Sequence, residues 1–74
     1  MNFPSREIVE QVKKDYPPGT KIILVKMDDP QAPAPGTKGV VRGVDDTASL
    51  LVKWANGSSL NVIYGEDVVK KIND

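Results

Sequence analysis

Apolar and polar residues alternate in the second half of the chain, a pattern that predicts β-strands rather than helices. The runs 50–54 and 60–63 are apolar at every second position, and Asn56-Gly57 lies between them. Both residues of this pair tolerate the positive φ of a type I′ turn, so the pair is a strong signal for a tight hairpin. We expect an antiparallel hairpin with five buried side chains: Leu50, Val52, Trp54, Leu60 and Val62.

The start of the chain shows helical rather than alternating periodicity. Ser5 can cap a helix, and Pro17-Pro18-Gly19 would end it. We therefore predict an amphipathic helix over residues 5–15, followed by a proline stop. Its apolar stripe either packs across one end of the β-structure or forms a loosely attached arm that meets a partner. The stripe consists of four residues: Ile8, Val9, Val12 and Tyr16.

Two further strands are predicted between the helix and the hairpin. Residues 20–27 are rich in β-branched and apolar side chains, and we expect Ile22 and Leu24 to face inward. In residues 38–44, Gly39 and Gly43 leave room for a close backbone approach or a bulge. The connection between these strands, residues 28–37, contains three prolines that stiffen it.

Turns and a last strand complete the predicted organisation. Residues 45–48 form a turn because aspartates accept hydrogen bonds from nearby backbone N–H groups. Residues 64–67 should form one tight helical turn, and residues 68–72 a short fifth strand. Residues 73–74 would be a frayed tail.

Five short strands with a long first loop can close into a small barrel, which also hides exposed strand edges. This is the layout of an SH3-like fold. The sequence therefore predicts a mainly β domain, a small SH3-like five-stranded antiparallel barrel with one N-terminal α-helix. The helix and its proline stop occupy residues 1–18, the barrel residues 19–72 and the tail residues 73–74. An open sheet packed on the helix is the alternative.

Composition restricts the chemistry of the chain. Its 74 residues include neither cysteine nor histidine, so disulfides, thiolate or imidazole metal sites and the commonest nucleophile–base pairs are excluded. We expect no enzyme activity, no cofactor, no metal and no catalytic residues. The N-terminus lacks the apolar stretch of a signal peptide, and no run approaches the ~20 apolar residues of a membrane span. We expect a soluble cytoplasmic protein with no membrane partner.

Four blocks of the sequence occur in the same order in a known family. They are residues 16–20 (YPPGT), 27–30 (MDDP), 35–46 (PGTKGVVRGVDD) and 52–61 (VKWANGSSLN). In these blocks the chain resembles the bacterial and phage family called domain of unknown function 4314, over roughly residues 16 to 70. The resemblance implies a small β-barrel domain. It implies no established activity, and it transfers no catalytic or binding residues.

The leading functional hypothesis is a non-catalytic interaction or accessory module that binds another protein. The proline-stiffened loop, the aspartate turns and the tyrosine near the rim of the barrel are the expected contact surface. Turn capping explains the aspartate pairs better than metal binding, because calcium needs six to eight oxygen ligands. The candidate partner-binding residues are Tyr64, Asp45, Asp46, Asp28, Asp29 and Pro33.

Weak nucleic-acid binding through a basic strip is the alternative function. Ten basic and ten acidic residues give a formal net charge of zero. Neutralising about 6–10 phosphates would therefore commit most of the cations to one face, and a solvated charged surface explains them equally well. Self-association through an outward Ile23, Val25 or Leu51 is a third class. The candidate phosphate-binding residues are Lys38, Arg42, Lys53, Lys70 and Lys71.

Overall fold

The computed structural model describes residues 4–72, which form one α-helix and four β-strands. In chain order these are α1 (Arg6–Asp15), β1 (Lys21–Lys26), β2 (Lys38–Val44), β3 (Leu50–Trp54) and β4 (Val68–Lys71). The strands form one sheet in the order β3-β2-β1-β4, and all neighbours are antiparallel. The prediction of a mainly β domain with one helix is confirmed, whereas the predicted tail lies outside the described residues.

The predicted five-stranded SH3-like barrel is not confirmed, because the sheet is open and residues 60–63 do not form a strand in it. The Asn56-Gly57 turn does reverse the chain, but the predicted type I′ geometry is wrong: Gly57 has a φ of 90°, whereas Asn56 does not have the positive φ that this turn type requires. Beyond the turn, Leu50 and Val62 exchange two backbone hydrogen bonds of 2.9 Å. This pair is an isolated bridge rather than part of a ladder.

Side chains take the backbone groups that a regular ladder would use. The indole Nε1 of Trp54 donates to the carbonyl of Leu60 at 2.9 Å, and the backbone N–H of Leu60 donates to Ser58 Oγ at 3.3 Å. Both backbone groups of Leu60 are therefore bonded to side chains instead of to the backbone of β3. The returning segment covers the tryptophan but does not extend the sheet.

One face of the sheet packs into the core. Helix α1 lies against this face: Val9 is buried, and Val12 and Tyr16 pack on the core cluster. The helix is therefore part of the core and not a loose arm. Ser5 caps it as predicted, since its Oγ accepts a hydrogen bond from the backbone N–H of Ile8 at 3.3 Å. The buried cluster consists of Ile22, Leu24, Val41, Leu50, Val52, Trp54 and Val62.

Bulges set which side chains point away from this core. The register of β2 against β3 shifts between Val41 and Gly43, and Val41 is buried while Val44 packs on the core. This confirms the predicted bulge. A second register shift, between Leu24 and Lys26, occurs where β1 meets β4. In β1, β2 and β3, the side chains that alternate with the buried ones point to the opposite face of the sheet.

Candidate functional site

The charges of the chain are segregated between the sheet and the rest of the fold. The four strands contain seven of the ten basic residues, two each in β1, β2 and β4 and one in β3, and none of the ten acidic residues. Although the net charge of the chain is zero, all the charged side chains of the sheet are therefore basic. Its cations are Lys21, Lys26, Lys38, Arg42, Lys53, Lys70 and Lys71.

Strand pairing arranges lysines and aliphatic residues alternately on the outer side of the sheet. In one row, Val40 lies between Lys53 of β3 and Lys21 of β1. In the next row, Ile23 lies between Lys38 of β2 and Lys70 of β4. Directly paired residues share a face, so each aliphatic side chain has a lysine on either side. We call these residues the basic face: Lys21, Ile23, Lys38, Val40, Lys53 and Lys70.

An open groove of about 370 Å³ lies at one end of the basic face. Lys21, Lys38 and Lys53 line it together with Val40, which is 40% exposed. Ile72 also contributes to its lining. The groove therefore combines an apolar surface with ammonium groups.

Four of the five predicted phosphate-binding residues lie exposed on or beside this face. The fifth, Lys71, is also exposed but lies on the other side of the sheet. Lys38, Lys53 and Lys70 belong to the basic face, and Arg42 is exposed at the β2 bulge. Lys71 instead pairs with the fully buried Ile22 and therefore lies on the inner side.

Lys71 places its Nζ 4.9 Å from the ring centroid of Tyr16, a cation–π contact that ties β4 to the end of α1.

Lys21 was not among the predicted phosphate-binding residues. The signal for it was available, because an inward Ile22 places Lys21 outward.

A second surface is mainly apolar and surrounds Tyr64. Tyr64, Ile63 and Val68 are 48, 47 and 47% exposed and line one hollow of about 290 Å³. Buried Leu50 and Val62 also line it. We call this surface the tyrosine hollow.

The predicted helical turn holds the exposed part of this hollow in place. The backbone N–H groups of Glu66 and Asp67 donate to the carbonyl of Ile63 at 3.1 and 3.0 Å. In return, Asp67 Oδ2 accepts a hydrogen bond from the backbone N–H of Ile63 at 2.8 Å. Tyr64 therefore projects from a turn that is closed at both ends.

The predicted partner-binding residues do not form one surface. Asp28, Asp29 and Asp45 line a hollow together with Glu66 and Asp67. Within residues 4–72, no group of three or more such side chains is arranged to hold a metal ion. The other three predicted residues are separate, since Tyr64 lines the tyrosine hollow, Asp46 lines a pocket beside α1, and Pro33 is buried.

Asp45 has a structural role in the turn between β2 and β3. Its Oδ1 accepts hydrogen bonds from Thr47 Oγ1 at 2.6 Å, Thr47 N at 2.9 Å and Ser49 N at 3.0 Å. Partial burial on its own raises the pKa of the Asp45 carboxyl, but these hydrogen bonds together outweigh burial and lower the pKa below its ordinary value. The carboxylate therefore stabilises the turn in its charged form.

The family described as a domain of unknown function (DUF4314) matches residues 5–72, and the chain belongs to this family. The match covers the helix and all four strands. No curated protein and no solved structure matches the chain. Among the described residues, no helix has the length and apolar character that crossing a membrane requires.

Proposed function

We propose that this chain is a non-catalytic interaction module that binds another protein through the tyrosine hollow. The observation that supports this proposal is the clustering of three exposed large apolar side chains, Ile63, Tyr64 and Val68, around one concavity. Contiguous exposed apolar surface of this kind is typical of interaction sites. The proposal keeps Tyr64 as the central contact and leaves out Pro33, which is buried.

The architecture of the hollow suits a tyrosine anchor. Tyrosine is enriched among the residues that dominate binding energy, because it offers a large apolar ring and a polar hydroxyl at a small cost in conformational entropy. The closed turn of residues 63–67 restrains the backbone that carries it. A restrained anchor loses little freedom on binding, which favours affinity.

Several broader predictions belong to the same proposal. A small accessory domain of this kind would have an SH3-like fold, with residues 58–62 as a distorted last partner of β3. It would work in the cytoplasm of bacteria or in cells infected by their phages. The lack of cysteine and histidine supports a role in binding rather than in catalysis.

Affinity capture with a matched control tests the proposal. Wild type, Tyr64→Ala and Val25→Ala are immobilised and exposed to a lysate of the cells that produce the protein. Val25 is as exposed as Val68 but lies in β1, outside the tyrosine hollow. We expect wild type and Val25→Ala to enrich the same protein, and Tyr64→Ala to retain roughly tenfold less of it, as expected for a hot-spot residue.

Two outcomes would contradict the proposal. The first is that wild type enriches no protein, and the second is that Tyr64→Ala captures the same protein as well as wild type does. Fluorescence of the buried Trp54 reports whether each variant is folded, so a loss of binding can be separated from a loss of structure.

A further inference from the structure

We infer that the basic face binds single-stranded nucleic acid, with its cations on the phosphates and its groove against a base. This inference is independent of the tyrosine hollow and concerns a different surface. The groove lined by Lys21, Lys53 and Val40 is the part of the proposed site that receives a base.

Charge segregation carries the inference. A net charge of zero argues against a polyanionic partner only if the charges are mixed over the surface. Here the four strands contain no acid, and their outer side carries Lys21, Lys38, Lys53 and Lys70 with Arg42 beside them, so the local field at this side is positive. Five of the ten basic residues therefore lie on or beside one face, and such a cluster can contact several phosphates at once.

The spacing of the cations suits a flexible phosphate backbone. Adjacent strands lie about 4.8 Å apart, so the in-register Lys53 and Lys21 are separated by about 10 Å across Val40. The next row of outward residues along the strands, with Ile23 and Lys70, follows after about 7 Å. A single-stranded nucleic acid that lies across both rows can bring successive phosphates close to different lysines.

The shape of the surface favours a single strand over a duplex. The major groove of B-DNA is about 12 Å wide and admits a helix or a two-stranded ribbon. Four paired strands span about 15 Å between the outer backbones, so this face cannot enter the groove. A single strand has no such constraint and can lie flat across the sheet.

The side chains of the basic face predict that it binds nucleic acid with moderate affinity and little dependence on base sequence. Trp54 is only 1% exposed, so its ring is not available as a stacking platform, and a base would rest on aliphatic groups such as Val40. None of the four strands contains Ser, Thr, Asn or Gln, the side chains that would contact a ribose 2′-hydroxyl or an adenine edge. DNA and RNA of the same sequence should therefore bind alike.

Fluorescence anisotropy with labelled oligothymidine of about 15 nucleotides tests the inference, since a site of this size is covered by that length. Three lysines of the basic face, Lys21, Lys53 and Lys70, together with Arg42 beside it, make four phosphate contacts, which predict a slope of log affinity against log salt of about −3. Affinity should then fall roughly 50-fold between about 50 and 200 mM salt. A duplex of the same length should bind more weakly.

Charge reversal on and off the face provides the matched comparison. Lys21→Glu with Lys53→Glu should weaken binding by more than roughly tenfold and reduce the slope to about −1.4, because two phosphate contacts are lost. Lys13→Glu with Lys14→Glu changes the net charge equally on the exposed side of α1 and should leave the slope unchanged. Trp54 fluorescence checks folding, and the corresponding glutamine pair replaces any glutamate pair that does not fold.

The inference is overturned if wild type binds no oligothymidine at about 50 mM salt, a concentration at which phosphate contacts are strong. It is also overturned if both charge reversals weaken binding equally or if the duplex binds more tightly. Binding of polyglutamate without binding of oligothymidine would assign the face to an acidic protein segment instead. Tyr64→Ala should bind nucleic acid as wild type does, so this site and the tyrosine hollow can fail separately.

Discussion

At the scale of single residues, Gly39 determines how closely β2 can approach the tryptophan. A Cβ at this position would lie 2.7 Å from Trp54 Cε3 and 2.7 Å from Val52 Cγ1. Both atoms belong to buried side chains in the core cluster, so they cannot move aside without disturbing the packing. The glycine is needed for the space it leaves, since its φ is not in the left-handed region.

Gly39→Ala should therefore destabilise the fold by about 1–3 kcal/mol, the usual cost of overpacking a core. Gly43→Ala in the same strand is the control, because its Cβ would meet only Leu51 Cδ1 at 3.8 Å, an ordinary contact. Urea unfolding followed by Trp54 fluorescence measures both. Equal stability of the two variants would show that the tryptophan does not pack against β2 as described.

At the scale of elements, the turn between β2 and β3 depends on one carboxylate. Asp45 accepts three hydrogen bonds there, and the same turn holds the buried Ala48 at a φ of 62°, a conformation that favours glycine. The folded pKa of Asp45 is lowered, so the stabilisation is present above the ordinary value near 3.8 and is lost as the pH falls through the folded pKa.

Asp45→Asn should lower the free energy of unfolding at pH 7 by about 1 kcal/mol, because a neutral amide accepts weaker hydrogen bonds than a carboxylate. The difference from wild type should shrink as the pH falls below the ordinary value near 3.8 and through the lowered pKa of folded Asp45, where the native carboxylate becomes protonated. Asp46→Asn, at the exposed neighbour, should show little difference at either pH. A gap between wild type and Asp45→Asn that is constant with pH would contradict the proposed role of the charge.

Elements whose signals are local could be predicted from the sequence. The cap at Ser5, the reversal at Asn56-Gly57 and the bulge near Gly43 depend on a few neighbouring residues, and all three are present. The predicted strand at residues 60–63 failed for a non-local reason. Trp54 and Ser58 take the backbone groups of Leu60, a competition that alternation along the chain does not reveal.

The basic face was only partly predictable for a related reason. Most of its residues follow from alternation within one strand, but the sequence of β4, Val-Val-Lys-Lys, does not show which lysine faces outward. Pairing with β1 decides this, since Lys70 is opposite the outward Ile23 and Lys71 is opposite the buried Ile22. The segregation of charge is likewise visible only after the strand boundaries are known.

At the scale of the whole molecule, the sheet concentrates like charges while the helix and loops carry the acids. Two unit charges about 10 Å apart in water repel by about 0.4 kcal/mol, and this is the separation of Lys53 and Lys21 in their row. The outer face is therefore slightly strained electrostatically in the folded state. This repulsion between lysines favours the binding of anions, because a bound phosphate would reduce it.

Lys53→Gln should consequently raise the free energy of unfolding by about 0.4 kcal/mol at 10 mM salt, where the Debye length is about 30 Å. The gain should vanish at 1 M salt, where that length is about 3 Å. Lys13→Gln is the control of opposite sign, since Lys13 lies in the last turn of α1, three residues after Glu10, and there a cation is stabilising. Lys13→Gln should lower the free energy of unfolding at 10 mM salt. If Lys53→Gln lowers it as well, acidic groups must neutralise the charge of the lysines on the basic face. The face would then lack the positive field that binding of phosphates requires.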